Sequence, residues 1–126
     1  MLVSFAHGFF QMLLGGGFAI GWQSIIGDYL LAYAVVGVAG IFRGNFSLGA
    51  ITACAVRFLV HYCVGATLWA EYMPEQFFGM TMTTPWIYSA LYNGAYMLPD
   101  LALILVVYLA LCKTALGRYL KGTDLQ

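Results

Sequence analysis

Five side chains able to hold a small polar molecule, Asp28, His61, Trp69, Tyr88 and Asn93, are scattered through an otherwise strongly apolar chain. A carboxylate, an imidazole, an indole, a phenol and a carboxamide together suit a planar cationic heteroaromatic. The carboxylate balances its charge, aromatic faces attract cations by about 0.5–2 kcal/mol each, and the amide bonds a ring edge. Arg57, His61, Gly65 and Trp69 recur at four-residue steps, which places them on one slowly drifting helical stripe. Gly65, lacking a side chain, is expected to leave a notch between imidazole and indole that admits a flat ring. Tyr88, Tyr92 and Tyr96 form a second stripe, with Ser89 and Asn93 beside it. By itself such a stripe reads as core or membrane-interface belt. The set is suited to binding. No Ser/His/Asp order, HExxH, P-loop or GxGxxG pattern occurs, and His61 has no second ligand at metal spacing. No enzyme, cofactor or metal chemistry is expected.

The elements that must position these groups follow from composition. Of 126 residues, 63% are hydrophobic and 8% charged, and the mean hydropathy is +0.87. Soluble domains are about 25% charged, so a membrane protein is expected. Five basic residues balance five acidic ones, which removes the basic footprint that nucleic-acid binding requires. Cys54, Cys63 and Cys112 lie in apolar runs without ligand spacing and read as small buried hydrophobes. Three runs are long enough to cross a bilayer, residues 22–42, 46–70 and 86–112, for which about 20 apolar residues are needed. A shorter run, residues 2–14, reads as a partial helix that stops at Gly15, Gly16 and Gly17, and nothing about it resembles a signal peptide. Without barrel alternation, residues 1–126 are expected to form one all-α, polytopic helix bundle in lipid.

Orientation follows from the few basic residues. Arg43, Lys113, Arg118 and Lys121 place two connections in the cytoplasm, whereas the 70–85 connection carries Glu71 and Glu75 without a basic residue and belongs outside, with 15–21. Trp22, Trp69 and Trp86 then sit at the outer ends of the spans. Counting inward from them at about 1.5 Å per residue puts Asp28, His61 and Asn93 in one layer roughly 10 Å deep. Arg57 and Asp100 fall roughly 20 Å deep, a second layer, where they are expected to form a buried structural ion pair. Ala34, Gly37 and Gly40, then Gly49, Ala50 and Ala53, are expected to let helices approach closely.

Three segments carry a resemblance to a known family: 23–43 (QSIIGDYLLAYAVVGVAGIFR), 57–69 (RFLVHYCVGATLW) and 86–94 (WIYSALYNG). Their combination of Asp-Tyr, His-x3-Gly-x3-Trp and Tyr-x4-Asn resembles the thiamine-specific substrate-binding subunits of energy-coupling factor transporters, over nearly the whole chain. The resemblance implies a multi-pass protein of the prokaryotic plasma membrane. It would capture thiamine from outside and work with a transmembrane coupling subunit and two cytoplasmic ATPases. Asp28 would match the family's acidic pocket residue, with Tyr29 beside it. His61 and Trp69 would flank the thiamine rings with Gly65 between them, and Tyr88 and Asn93 would bond the aminopyrimidine. The family's acidic residue is usually glutamate, so Asp28 reaches about one methylene less far, and Phe18 stands where a tyrosine is common. The resemblance also implies a six-helix bundle with roughly two further spans ahead of Leu2, so the chain is expected to be the C-terminal part of a longer protein, truncated or with a misassigned start. Another vitamin precursor, such as the pyrimidine or thiazole moiety of thiamine, and a structural membrane subunit without ligand remain as alternatives.

Overall fold

The computed structural model describes residues 2–14, 20–42, 44–114 and 117. Gly15, Gly16, Gly17, Phe18, Arg43, Arg118 and Lys121 lie outside the described residues. Apolar runs become helices because a backbone surrounded by lipid must satisfy its own hydrogen bonds. The short run forms α1 (Leu2–Leu14), and the three long runs form α2 (Trp22–Ile41), α3 (Phe46–Thr67) and α4 (Pro85–Leu111). The last three are long and apolar enough to cross a membrane. The protein is an all-α, multi-pass membrane bundle in which α3 packs between α2 and α4, and α1 packs on α2.

Local chemistry sets the helix starts. Ser24 Oγ accepts from the Ile20 and Gly21 amides and donates to the Gly21 carbonyl, tying down the first turn of α2. Asn45 Oδ1 accepts from the Leu48 amide at 3.0 Å, and Thr84 Oγ1 from the Ile87 amide at 3.3 Å, each satisfying one donor that an α-helix start leaves orphaned. Pro85 occupies the first turn of α4, where its missing N–H is harmless.

The winding of α2 changes along its length. Trp22–Ser24 and Ala32–Ala34 are α-helical, Ile25–Leu31 takes the wider π winding, and Val35–Ile41 tightens to 3₁₀. Close approaches hold it in place. A Cβ on Gly8 would collide with the Tyr29 carbonyl oxygen, and one on Gly27 would stand 2.7 Å from Val64 Cγ2. Of the small residues expected at helix contacts, Gly49 comes against the Ala39 backbone, where a Cβ would lie 3.0 Å from the carbonyl oxygen. Gly40 has nothing within 4 Å of that position.

The interior inverts the usual order of a soluble protein. Ala32, Ala53, Ala66, Met82 and Met97 are buried alongside Ser24, His61, Ser89 and Asn93, while Leu98, Leu103, Val106 and Leu109 of α4 point outward. Lipid is as apolar as leucine, so burial goes to small and polar groups that pack or bond to one another. The same physics corrects the expectation for the cysteines. Cys63 is exposed and Cys54 and Cys112 are half-buried, because a thiol beside lipid needs no enclosure.

The connection after α3 is ordered. Trp69, expected inside the second span, falls just past the helix in a turn, followed by a 3₁₀ turn at Ala70–Tyr72. An antiparallel hairpin follows, β1 (Gln76–Phe77) paired with β2 (Met80–Thr81), with Gln76 opposite Thr81 and Phe77 opposite Met80. Its two-residue loop has positive φ at both Phe78 (51°) and Gly79 (74°), the geometry that suits the right-handed twist of a hairpin. Phe78 is a bulky residue in that region, a strained position.

Candidate functional site

A cavity of about 660 Å³ opens between α2, α3 and α4, within the usual range for a small-molecule site. All seven residues expected at the site, Asp28, Tyr29, His61, Gly65, Trp69, Tyr88 and Asn93, line it.

The acidic corner is built by α2 and the end of α3. Asp28 sits in the π segment, and its carboxylate meets two ring nitrogens. Trp69 Nε1–H donates to Oδ2 at 2.8 Å, and His61 Nδ1 lies 3.0 Å from Oδ1. On the far side of the imidazole, Arg57 Nε–H donates to His61 Nε2 at 3.4 Å. An arginine N–H can only donate, so Nε2 carries a lone pair and the proton of a neutral His61 sits on Nδ1, facing the carboxylate. A carboxylate offers about four lone-pair sites, so each Asp28 oxygen keeps a second one for a ligand donor.

The wall formed by α4 is aromatic. Tyr88, Tyr92 and Tyr96 all face the cavity, and the rings of successive pairs lie 5.7 and 5.9 Å apart. Phe77 of the hairpin meets Tyr88 edge-on at 5.3 Å and tilts against Tyr92 at 6.1 Å, docking the hairpin beside the opening. Behind the rings, Asn93 Nδ2 donates to the Ser89 carbonyl at 2.9 Å, and Tyr96 Oη–H donates to Asn93 Oδ1 at 2.9 Å.

Two expectations change. The Gly65 notch is not open toward α4: a Cβ there would collide with Ser89 Oγ and stand 3.2 Å from Ser89 Cβ. Gly65 lines the cavity with backbone, and its missing side chain lets α3 and α4 close on each other. The two polar layers are also joined. Arg57 lines the cavity, donates to Tyr33 Oη at 3.3 Å, and lies 4.6 Å from that ring's centroid. An arginine is long enough to span a helical turn, so counting backbone depth placed its charge too deep. Asp100 lies 3.9 Å from Arg57, but its side chain is 50% exposed, so the pair is not enclosed.

Gln11, Tyr33, Tyr72, Ser89, Tyr92 and Tyr96 also line the cavity. The spacing of the α4 tyrosine stripe is the signal that could have found Tyr92 and Tyr96, although by itself it reads as core or interface belt. Tyr33 stands five residues after Asp28. In an α-helix the two would point about 140° apart, whereas a turn closed by i→i+5 bonds brings such positions nearer one line. No sequence pattern announces that winding. Among the described residues no group of three or more His, Cys, Asp or Glu side chains could hold a metal ion.

With this geometry in hand, comparison with known proteins is decisive for the family. The model of the thiamine transporter protein family (Thia_YuaJ) matches residues 1–119. The chain belongs to that family. It is similar to thiamine transporter ThiT of Bacillus subtilis strain 168, with 27% identity over 124 residues, covering 86% of this chain and 62% of the relative. It is also similar to thiamine transporter ThiT of Lacticaseibacillus paracasei, with 25% identity over 122 residues, covering 82% of this chain and 58% of the relative. The chain thus spans about three-fifths of the length of these curated relatives. No solved structure matches it.

Proposed function

We propose that this chain is part of a membrane-embedded substrate-binding subunit that captures thiamine from outside the cell for ATP-driven uptake by an energy-coupling factor complex. Its partners would be a transmembrane coupling subunit and two cytoplasmic ATPases in a prokaryotic plasma membrane. The observation that carries the reading is the Asp28 carboxylate, oriented by His61 and Trp69 on the wall of an aromatic cavity, in a chain of the thiamine transporter protein family. Thiamine joins a flat cationic thiazolium ring to a flat aminopyrimidine through a methylene group. Asp28 would balance its charge, with Tyr29 beside it. His61 and Trp69 would present ring faces or edges, Gly65 would contribute backbone to the wall, and Tyr88 and Asn93 would meet the pyrimidine. Lys113, at the end of α4 away from the hairpin, and the acidic connection with Glu71 and Glu75 favour an opening toward the outside. The Phe77 hairpin would act as the lid.

Titration of the purified full-length protein with thiamine, followed by tryptophan fluorescence, tests this. The wild type should show saturable quenching, with a rise in unfolding temperature at ligand concentrations far above the dissociation constant. Asp28→Asn should weaken binding by about 10- to 100-fold, the size of a charged hydrogen bond lost. Trp69→Phe should remove much of the signal. Competition with the separate pyrimidine and thiazole moieties tells thiamine from a precursor. Absence of quenching and of thermal stabilisation in the wild type would leave a structural membrane subunit.

A further inference from the structure

α1 carries a polar stripe on an otherwise apolar helix. Its only polar side chains are Ser4, His7 and Gln11, spaced three and four residues apart and so on one face. Gly8 lies on that face and shows where it points: a Cβ there would collide with the Tyr29 carbonyl oxygen and stand 2.6 Å from Tyr33 Cβ. Beside it, His7 meets the Tyr33 ring edge-on at 5.2 Å. Helices that pack on each other across a connection as short as 15–21 run antiparallel. One turn beyond His7 in α1 therefore stands level with one turn before Tyr33 in α2, which sets Gln11 at the level of Asp28 and Tyr29. All three line the cavity. Gln11 is exposed, and among the described residues its amide has no hydrogen-bond partner. An unbonded amide on a membrane helix is costly against lipid and belongs toward a cavity.

We infer that Gln11 is a specificity-determining residue whose amide receives the hydroxyl arm of the bound cation. The inference rests on the thiamine-binding reading and adds a residue from α1. An amide presents a donor and an acceptor side by side, and the hydroxyl is the one polar group of thiamine that both gives and takes a hydrogen bond. That hydroxyl ends a short arm on the thiazolium ring, the ring whose charge Asp28 balances. Asp28 does not by itself read the arm, because a carboxylate balances the cation whether or not a hydroxyl is present. His61 and Trp69 hold the carboxylate from α3 and the turn after it, which leaves the α1 side of the acidic corner to the arm. On the α3 side the competing group is the Tyr72 phenol, whose ring stands 5.7 Å from Trp69.

The test is competition against tryptophan quenching with thiamine and with its deoxy analogue, in which hydrogen replaces the hydroxyl, on full-length wild type, Gln11→Leu and Gln11→Glu. The wild type should favour thiamine by about 3- to 10-fold, the size of a neutral hydrogen bond. In Gln11→Leu the preference should fall to near parity through loss of thiamine affinity, with the deoxy compound bound as before. Gln11→Glu keeps an acceptor for the hydroxyl and should keep the preference. A merely structural role for Gln11 in docking α1 would weaken both ligands alike and leave their ratio unchanged in Gln11→Leu, which overturns the assignment. A preference that survives Gln11→Leu and is lost in Tyr72→Phe overturns it too. Equal affinity of the wild type for both compounds overturns it without need of a variant, while thiamine binding itself stands. If the wild type binds neither compound, the thiamine reading fails and the assignment with it.

Discussion

The same substitution at two glycines should have opposite signs. In α3, Gly65→Ala puts a methyl group into the Ser89 hydroxyl, 3.2 Å from Ser89 Cβ and 3.5 Å from Asn93 Nδ2. Ser89 has no long flexible end to swing aside. Rotating it breaks its bond to the Tyr62 carbonyl, and separating the helices opens the α3–α4 contact instead. Overpacking costs about 1–3 kcal/mol and an orphaned buried hydroxyl about 1 kcal/mol or more, against a helix-propensity gain of up to about 1 kcal/mol. The net is a loss on the order of 1–3 kcal/mol. In α4, Gly94→Ala meets nothing within 4 Å and should keep the propensity gain, about 0.5–1 kcal/mol. Thermal unfolding of purified wild type and both variants in one detergent measures the difference: Gly65→Ala should unfold several degrees below the wild type and Gly94→Ala at or above it. Equal unfolding temperatures for the two variants would refute the claim that the absent Gly65 side chain is what lets α3 and α4 meet at Ser89.

Two further outcomes follow from the site. Arg57→Met removes donors to His61 and Tyr33, whereas Asp100→Asn removes only a half-exposed partner 3.9 Å away. The first should lower both unfolding temperature and thiamine affinity clearly more than the second. An equal or larger effect of Asp100→Asn in the same two measurements would mean that the ion pair is the main role of Arg57. Phe77→Ala removes the ring contacts to Tyr88 and Tyr92, each worth about 0.5–1.5 kcal/mol, and should speed thiamine release by about tenfold while association changes little. Stopped-flow tryptophan fluorescence reads both rates, and an unchanged release rate would remove the hairpin from the lid role.

The sequence made the spans legible because a lipid-facing helix must be apolar along its whole length. The run at 2–14 and the starts of α2 at Trp22 and α3 at Phe46 coincide with the structure, and the other ends fall within a few residues. Counting depth from the tryptophans also put Asp28, His61 and Asn93 at one level, and all three line the same cavity. The failures have a common origin, because such counting follows the backbone and carries no information about side-chain reach or winding. Arg57 climbs a turn to His61, so a charge assigned to a deeper layer belongs to the cavity. The π winding at Ile25–Leu31 turns Tyr33 toward the same space as Asp28, and nothing in IIGDYLL announces it. Gly65 was read as space for a ligand when Ser89 already holds that space, a fact set by how closely α3 and α4 approach.

These departures all concern how polar groups satisfy one another away from water. In a soluble protein, water could take the surplus bonds of Arg57, His61 and Asn93 and leave their orientation loose. Here each finds a protein partner: Arg57 gives to His61 and Tyr33, His61 faces Asp28, and Asn93 gives to Ser89 and takes from Tyr96. The result is a cavity in which Arg57, His61, Asp28 and Asn93 are already oriented by one another and by their neighbours, so that little reorganisation of these groups is left for the moment of binding.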